Sequence, residues 1–106
     1  MRLRELAHAR SGDKGDVSNI SVIAYDTAGY ERVRAVLTPE RVKRHLGGIV
    51  RGEVRRYELP GLLALNFVLN GALGGGVTRS LALDAHGKCL SGLLLELDLT
   101  PEEPSR

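Results

Sequence analysis

The sequence predicts a single α+β domain, and three observations carry that prediction. Segments of period-two alternation lie on both sides of a central helical stretch, that stretch has its own start and stop signals, and two strand-like segments flank Ala85-His86-Gly87 near the end. A chain of 106 residues has the usual size of one domain and can bury a core without metal or disulfide support.

Taken in order, Leu3 to Arg10 places Leu3, Glu5, Ala7 and Ala9 opposite Leu6 and His8, the pattern of a strand. The polar run Ser11-Gly12-Asp13-Lys14-Gly15-Asp16 reads as a turn. From Val17 to Tyr25, Ile20, Val22 and Ala24 fall on one side and Asn19, Ser21 and Ile23 on the other, as in a half-buried strand. Asp26 is a natural cap for a helix in which Tyr30, Val33 and Leu37 recur at helical spacing. At Thr38-Pro39-Glu40 the helix restarts, with Thr38 as N-cap and Pro39 in the first turn, where its missing N–H costs nothing. Gly47-Gly48 stops it, and the two pieces are either continuous or kinked at Thr38.

Ile49 to Leu59 is the next predicted strand, ended by Pro60-Gly61 and exposed by its charges, Arg51, Glu53, Arg55, Arg56 and Glu58. Leu62 to Leu69 is the most apolar stretch; its Ala and Leu content favours a helix, while its length and Phe-Val pair also permit a buried strand, and the helix is the expectation adopted. Thr78 to Asp84 and Lys88 to Leu99 are expected to form a β-hairpin, the second arm alternating Leu93, Leu95, Leu97 and Leu99 against Leu94, Glu96 and Asp98. The domain is expected to span residues 1–99, with a polar, proline-punctuated tail over 100–106. This order fits helices on one face of a mainly antiparallel sheet, a ferredoxin-like sandwich, better than a doubly wound parallel sheet.

Composition narrows the function. Hydrophobic residues make up 42% of the chain but aromatics only 4%, so Leu, Val, Ile and Ala must fill the core. Cys89 is the lone cysteine, which excludes an intramolecular disulfide and a Cys-rich metal site and fits a reducing cytoplasm. The histidines lack metal-binding spacing and no cofactor motif is present, so neither a metal nor a cofactor is expected. No run of about 18 apolar residues and no leader-type apolar segment occurs, so neither membrane insertion nor export is expected. A net charge of +2, with acids interspersed among the arginines and few aromatics, argues against nucleic acid as a partner.

Two glycine-rich polar loops hold the candidate site. In Ser11 to Asp16 the backbone can turn sharply and offer N–H groups to an anion, with Lys14 and Arg10 supplying charge, although a plain charged turn explains it as well. The order of a Walker A loop is missing, and Asp13 with Asp16 falls short of a Ca²⁺ loop. Asn70 to Ser80 includes Gly74, Gly75 and Gly76, where bare backbone can approach a ligand or another chain, and Arg79 is its strong donor; the plainer alternative is a helix stop and a connection.

Three separated strings, His8 to Asp16, Arg56-Tyr57-Glu58-Leu59-Pro60, and Leu65-Asn66-Phe67-Val68-Leu69-Asn70-Gly71-Ala72-Leu73-Gly74-Gly75-Gly76, resemble the AtuA-like domain of acyclic terpene utilisation proteins, and the likeness runs from about Leu3 to Leu99. The resemblance implies a ferredoxin-like fold and a context in the breakdown of branched acids through acyl-CoA thioesters. It also implies that a larger portion, which in that family precedes this unit, is a separate chain here. Carried over by motif, Arg10, Ser11, Lys14, Asn19, Asn66, Asn70, Gly74, Gly75, Gly76 and Arg79 are the candidate ligand-binding residues, and Asp13 and Asp16 the candidate catalytic ones.

The leading expectation is an accessory or subunit-like domain, not catalytic on its own. It would associate with itself as a homo-oligomer or with a separate AtuA-like large chain, and contribute contacts to an anionic or acyl-CoA ligand. One alternative is a small enzyme of CoA-thioester metabolism with Asp13 or Asp16 as general base and Lys14 or Arg79 steadying an oxyanion. The other is a purely structural interaction module.

Overall fold

A computed structural model describes residues 1–14, 17–47, 50, 52–71 and 90–99 of the chain. A 3₁₀ turn at Leu3–Glu5 leads into strands β1 (Ala7–Lys14) and β2 (Val17–Ala24), then helices α1 (Thr27–Val36) and α2 (Pro39–His45). Strand β3 (Val54–Leu59), a 3₁₀ turn at Pro60–Leu62, strand β4 (Ala64–Asn70) and helix α3 (Leu90–Leu94) follow. The four strands form one sheet in the order β1-β2-β4-β3, and each neighbouring pair is antiparallel. Strands β2 and β3 therefore run in the same direction with β4 between them, and α1 and α2 form the crossover that joins them.

Directly opposed residues in a sheet share a face. One row runs Ile20, Phe67, Arg56 and a second Val22, Leu65, Glu58, while Leu69 lies between Ser18 and Val54. Ile20, Val22, Leu65, Phe67 and Leu69 are buried in one core with Tyr30 and Val33 of α1, Val42 of α2, and Leu90 and Leu94 of α3. Because burial of each such side chain contributes roughly 1.5–3 kcal/mol, this layer is the main stabilising element. It lies on one side of the sheet: α1 packs on β2, α2 on β3, and α3 on β1 and β2. The predicted α+β, ferredoxin-like arrangement with helices on one face is thus observed.

Local signals set the helix ends. The Asp26 carboxylate accepts a hydrogen bond from the Gly29 N–H at 2.7 Å, and Thr38 Oγ1 accepts one from Arg41 N–H at 3.1 Å. Thr38 is extended (φ −82°, ψ 160°), as the residue before Pro39 prefers, so α1 and α2 are separate helices. The end of α1 is closed from the sheet: Arg56 of β3 donates to the carbonyls of Arg34 at 2.8 Å and Leu37 at 3.0 Å. Those carbonyls would otherwise lack intrahelical partners.

The first residues also meet the segment 95–99. Leu3 N–H donates to Leu97 O, Arg4 N–H to Leu95 O, and Leu99 N–H to Met1 O, while Arg2 and Arg4 both pair with Glu96. No described helix is long and apolar enough to cross a membrane.

Five segments depart from the sequence reading. Residues 64–70 form a strand, not a helix; Leu65, Phe67 and Leu69 are fully buried while Asn66, Val68 and Asn70 are only partly so, and pairing on both edges outweighs the helix propensity of Leu and Ala. In the region read as the hairpin's second arm, Leu90–Leu94 is helical and only an isolated bridge, Arg2 to Asp98, has strand character. Leucine at 90, 93, 94, 95, 97 and 99 satisfies both periods; burial of Leu90 and Leu94 follows the helical one, and burial of Leu97 and Leu99 around exposed Asp98 the period of two. The first arm, Thr78 to Asp84, lies outside the described residues. Ser11–Lys14 extends β1 instead of turning, because each residue pairs with β2, from Ser11 with Ile20 to Lys14 with Val17. Leu3–Glu5 is a 3₁₀ turn held against residues 95–97, and β3 begins only at Val54.

Candidate functional site on the open sheet face

The alternation that sends Ile20 and Phe67 into the core sends their neighbours to the opposite face, on which no described helix packs. Three rows cross it. Arg10, Ser21, Asn66 and Tyr57 lie side by side; Gly12, Asn19, Val68 and Arg55 form the row on one flank; His8, Ile23, Ala64 and Leu59 form the row on the other. At the end of the sheet Lys14 opposes Val17, which opposes Asn70. The points where the chain enters both glycine-rich loops are therefore neighbours.

A cleft of about 520 Å³ opens on this face. Arg10, Asn19 and Ser21 line one part of it, and Ile23, Leu59, Leu62 and Ala64 the other. Its apolar wall is built by the β3–β4 connection. Pro60 begins the 3₁₀ turn, and Leu63 closes it in the left-handed region at φ 55°, a conformation uncommon for a bulky residue. The turn leaves Leu62 68% exposed. Of the six large hydrophobic residues exposed among those described, Val17, Tyr25, Tyr57, Leu59 and Leu62 belong to this side and only Met1 does not. Tyr25, Leu59 and Leu62 lie at the same end of this face, with Tyr57 one row away, and Val17 is at the other end beside Asn70; the grouped residues, not Val17, mark a candidate binding surface.

The polar groups are unequal. Arg55 is engaged: its Nε lies 3.2 Å from Glu53, and that hydrogen bond first, then one it donates to the Tyr57 hydroxyl oxygen, raises its pKa above the ordinary arginine value. Arg10 has no ion pair or hydrogen bond among the described residues. Asn66 Oδ1, in the same row, is shielded from solvent and has no hydrogen-bond partner among them. The His8 ring stacks on Tyr25 at 5.7 Å between centroids, which fixes the rim beside Ile23.

Of the candidates predicted from sequence, Arg10, Asn19, Asn66 and Asn70 therefore come together on the open face. Ser11 borders the cleft, but it shares the helix-side row with Ile20 and its Oγ lies 3.3 Å from Ser91 Oγ on α3. Asp13 and Lys14 are in β1, but their side chains, along with Asp16, Gly74, Gly75, Gly76 and Arg79, lie outside the described residues. No group of three metal-ligating side chains converges among the described residues. Sequence reasoning missed Ser21, Ile23, Tyr57, Leu59 and Leu62. A signal was present for Ile23, an isoleucine on the otherwise polar side of its strand, and for the exposed leucines that bracket Pro60-Gly61.

No curated protein and no solved structure matches the chain. The family model for the AtuA ferredoxin-like domain matches residues 1–100. That span contains every strand and helix described above, the core they enclose and the open face, and on it the chain belongs to the AtuA ferredoxin-like domain family.

Proposed function

We propose that this domain is an accessory, subunit-like module of the cytoplasm whose open sheet face docks onto a separate, larger AtuA-type chain in the metabolism of branched acyl-CoA thioesters. The observation that carries the reading is the exposure of Tyr25, Tyr57, Leu59 and Leu62 towards one end of a face that no described helix covers. Tyrosine and arginine, both present on this face, are enriched at interface centres.

Charge favours a different chain over a second copy. Among the described residues the face presents Arg10 and Arg55 against one acid, Glu53, and Glu53 is already paired with Arg55. Two copies meeting through this face would bring arginines together without acids to meet them, whereas an acidic patch on a larger partner would be complementary. The metabolic context rests on the family alone.

The test is size-exclusion chromatography with light scattering on the chain alone and mixed with a large AtuA-type chain from the same source. The expected result is a stable complex with the wild-type chain and none with Leu62→Asp, which places a charge in the apolar wall. A peak at monomer mass unchanged by the large chain would overturn the proposal.

A further inference from the structure

We infer that the cleft beside Arg10 binds a small amphipathic carboxylate, with the carboxylate on Arg10 and the apolar tail lying over Ile23, Leu59 and Leu62. The inference uses the same face as the docking proposal but needs no protein partner.

Three features point to that class of ligand. The first is polarity. Arg10, Asn19 and Ser21 supply donors at one part of the cleft and Ile23, Leu59 and Leu62 an apolar wall at the other, so a molecule charged at one end and greasy at the other satisfies both at once. The second is charge. Arg10 is without an acid among the described residues, and a guanidinium fork matches a carboxylate in a bidentate way. A single arginine balances a monoanion, and the neutral amide and hydroxyl beside it complete the hydrogen bonding of one carboxylate.

The third is size. The volume of about 520 Å³ falls in the range of small-ligand sites. Arg10 is on one edge strand and Leu59 on the other, three interstrand spacings or about 14 Å apart across the sheet. A short acid such as acetate or butyrate would leave the apolar wall empty, while a medium-chain acid crosses β2 and β4 to reach it.

Calorimetric titration of the chain by itself with octanoate, octan-1-ol and butyrate tests the assignment. Octanoate is expected to bind one per chain, at least tenfold more tightly than either of the others. Arg10→Gln should bring octanoate down to the level of octan-1-ol without changing octan-1-ol itself, and Arg10→Lys should fall between. Leu62→Ala should weaken octanoate and octan-1-ol alike. Thermal melts confirm that each variant is folded. Octanoate binding no tighter than octan-1-ol, or undiminished in Arg10→Gln, overturns the inference. Tyr57→Ala separates it from docking, since Tyr57 does not line the cleft: loss of the protein complex with octanoate binding intact leaves this inference standing, and loss of octanoate binding in a folded Tyr57→Ala chain places the acid outside the cleft and overturns it.

Discussion

Ile20 and Ile23 are three residues apart on β2 and belong to different parts of the molecule. Ile20 is sealed between the sheet and the helices, against Phe67; Ile23 is on the other face, beside Ala64 and at the wall of the cleft. The same contrast holds for Phe67 and Asn66 on β4. One face is apolar at its centre, where Ile20, Val22, Leu65, Phe67 and Leu69 meet the described helices, with Arg56 and Glu58 at its edge, and it holds the core. The other mixes arginine, asparagine, tyrosine and leucine, and on it Asn66 Oδ1 has no hydrogen-bond partner among the described residues. A strand with period-two alternation can serve both purposes independently, because a change on one face need not disturb packing on the other.

The largest effect that would expose this division is Phe67→Ala. It empties the centre of the helix-side layer and should cost about 3–5 kcal/mol in urea unfolding, enough to unfold much of the population. By contrast, Leu62→Asp on the open face should change stability by no more than about 0.5 kcal/mol in the same experiment. A large loss there would mean that the open face contributes to the core after all.

Between these extremes lie positions that hold the two faces in register. At Gly52 an added Cβ would sit 2.6 Å from the carbonyl oxygen of Asn70, to which Gly52 N–H donates at 2.9 Å. Gly52→Ala should therefore cost about 1–3 kcal/mol and perturb Asn70 at the end of the open face. Asp26→Ala removes the α1 cap and should cost about 1 kcal/mol, read as a lowered melting temperature with ligand and partner binding unchanged.

How far the sequence disclosed this arrangement follows the same division. Whereas the sequence left open whether the two helical pieces are continuous or kinked, the caps at Asp26 and Thr38, the restart at Pro39 and the alternation of β2 are legible because each rests on one or two residues acting locally. The 62–69 and 90–99 segments are not, because leucine-rich runs fit a period of two and of 3.6 equally, and only pairing partners distant in the chain decide between them. For the site, Arg10, Asn19, Asn66 and Asn70 were legible from the family resemblance. Their grouping on one face depended on reading 64–70 as a strand, since helical periodicity would have scattered Asn66 and Asn70. Ser11, named by its place in the motif, borders the cleft, while the register of β1 directs its hydroxyl to Ser91.

The central claim is that the face opposite the helices is the working surface, and the methyl resonances of Ile20 and Ile23 test it directly because they report from the two sides of one strand. In a titration of the methyl-labelled chain with the large AtuA-type chain, the Ile23 signal is predicted to shift or broaden while Ile20 stays in place. Movement of Ile20 with Ile23 unaffected, or no response from either when complex forms, would contradict the account.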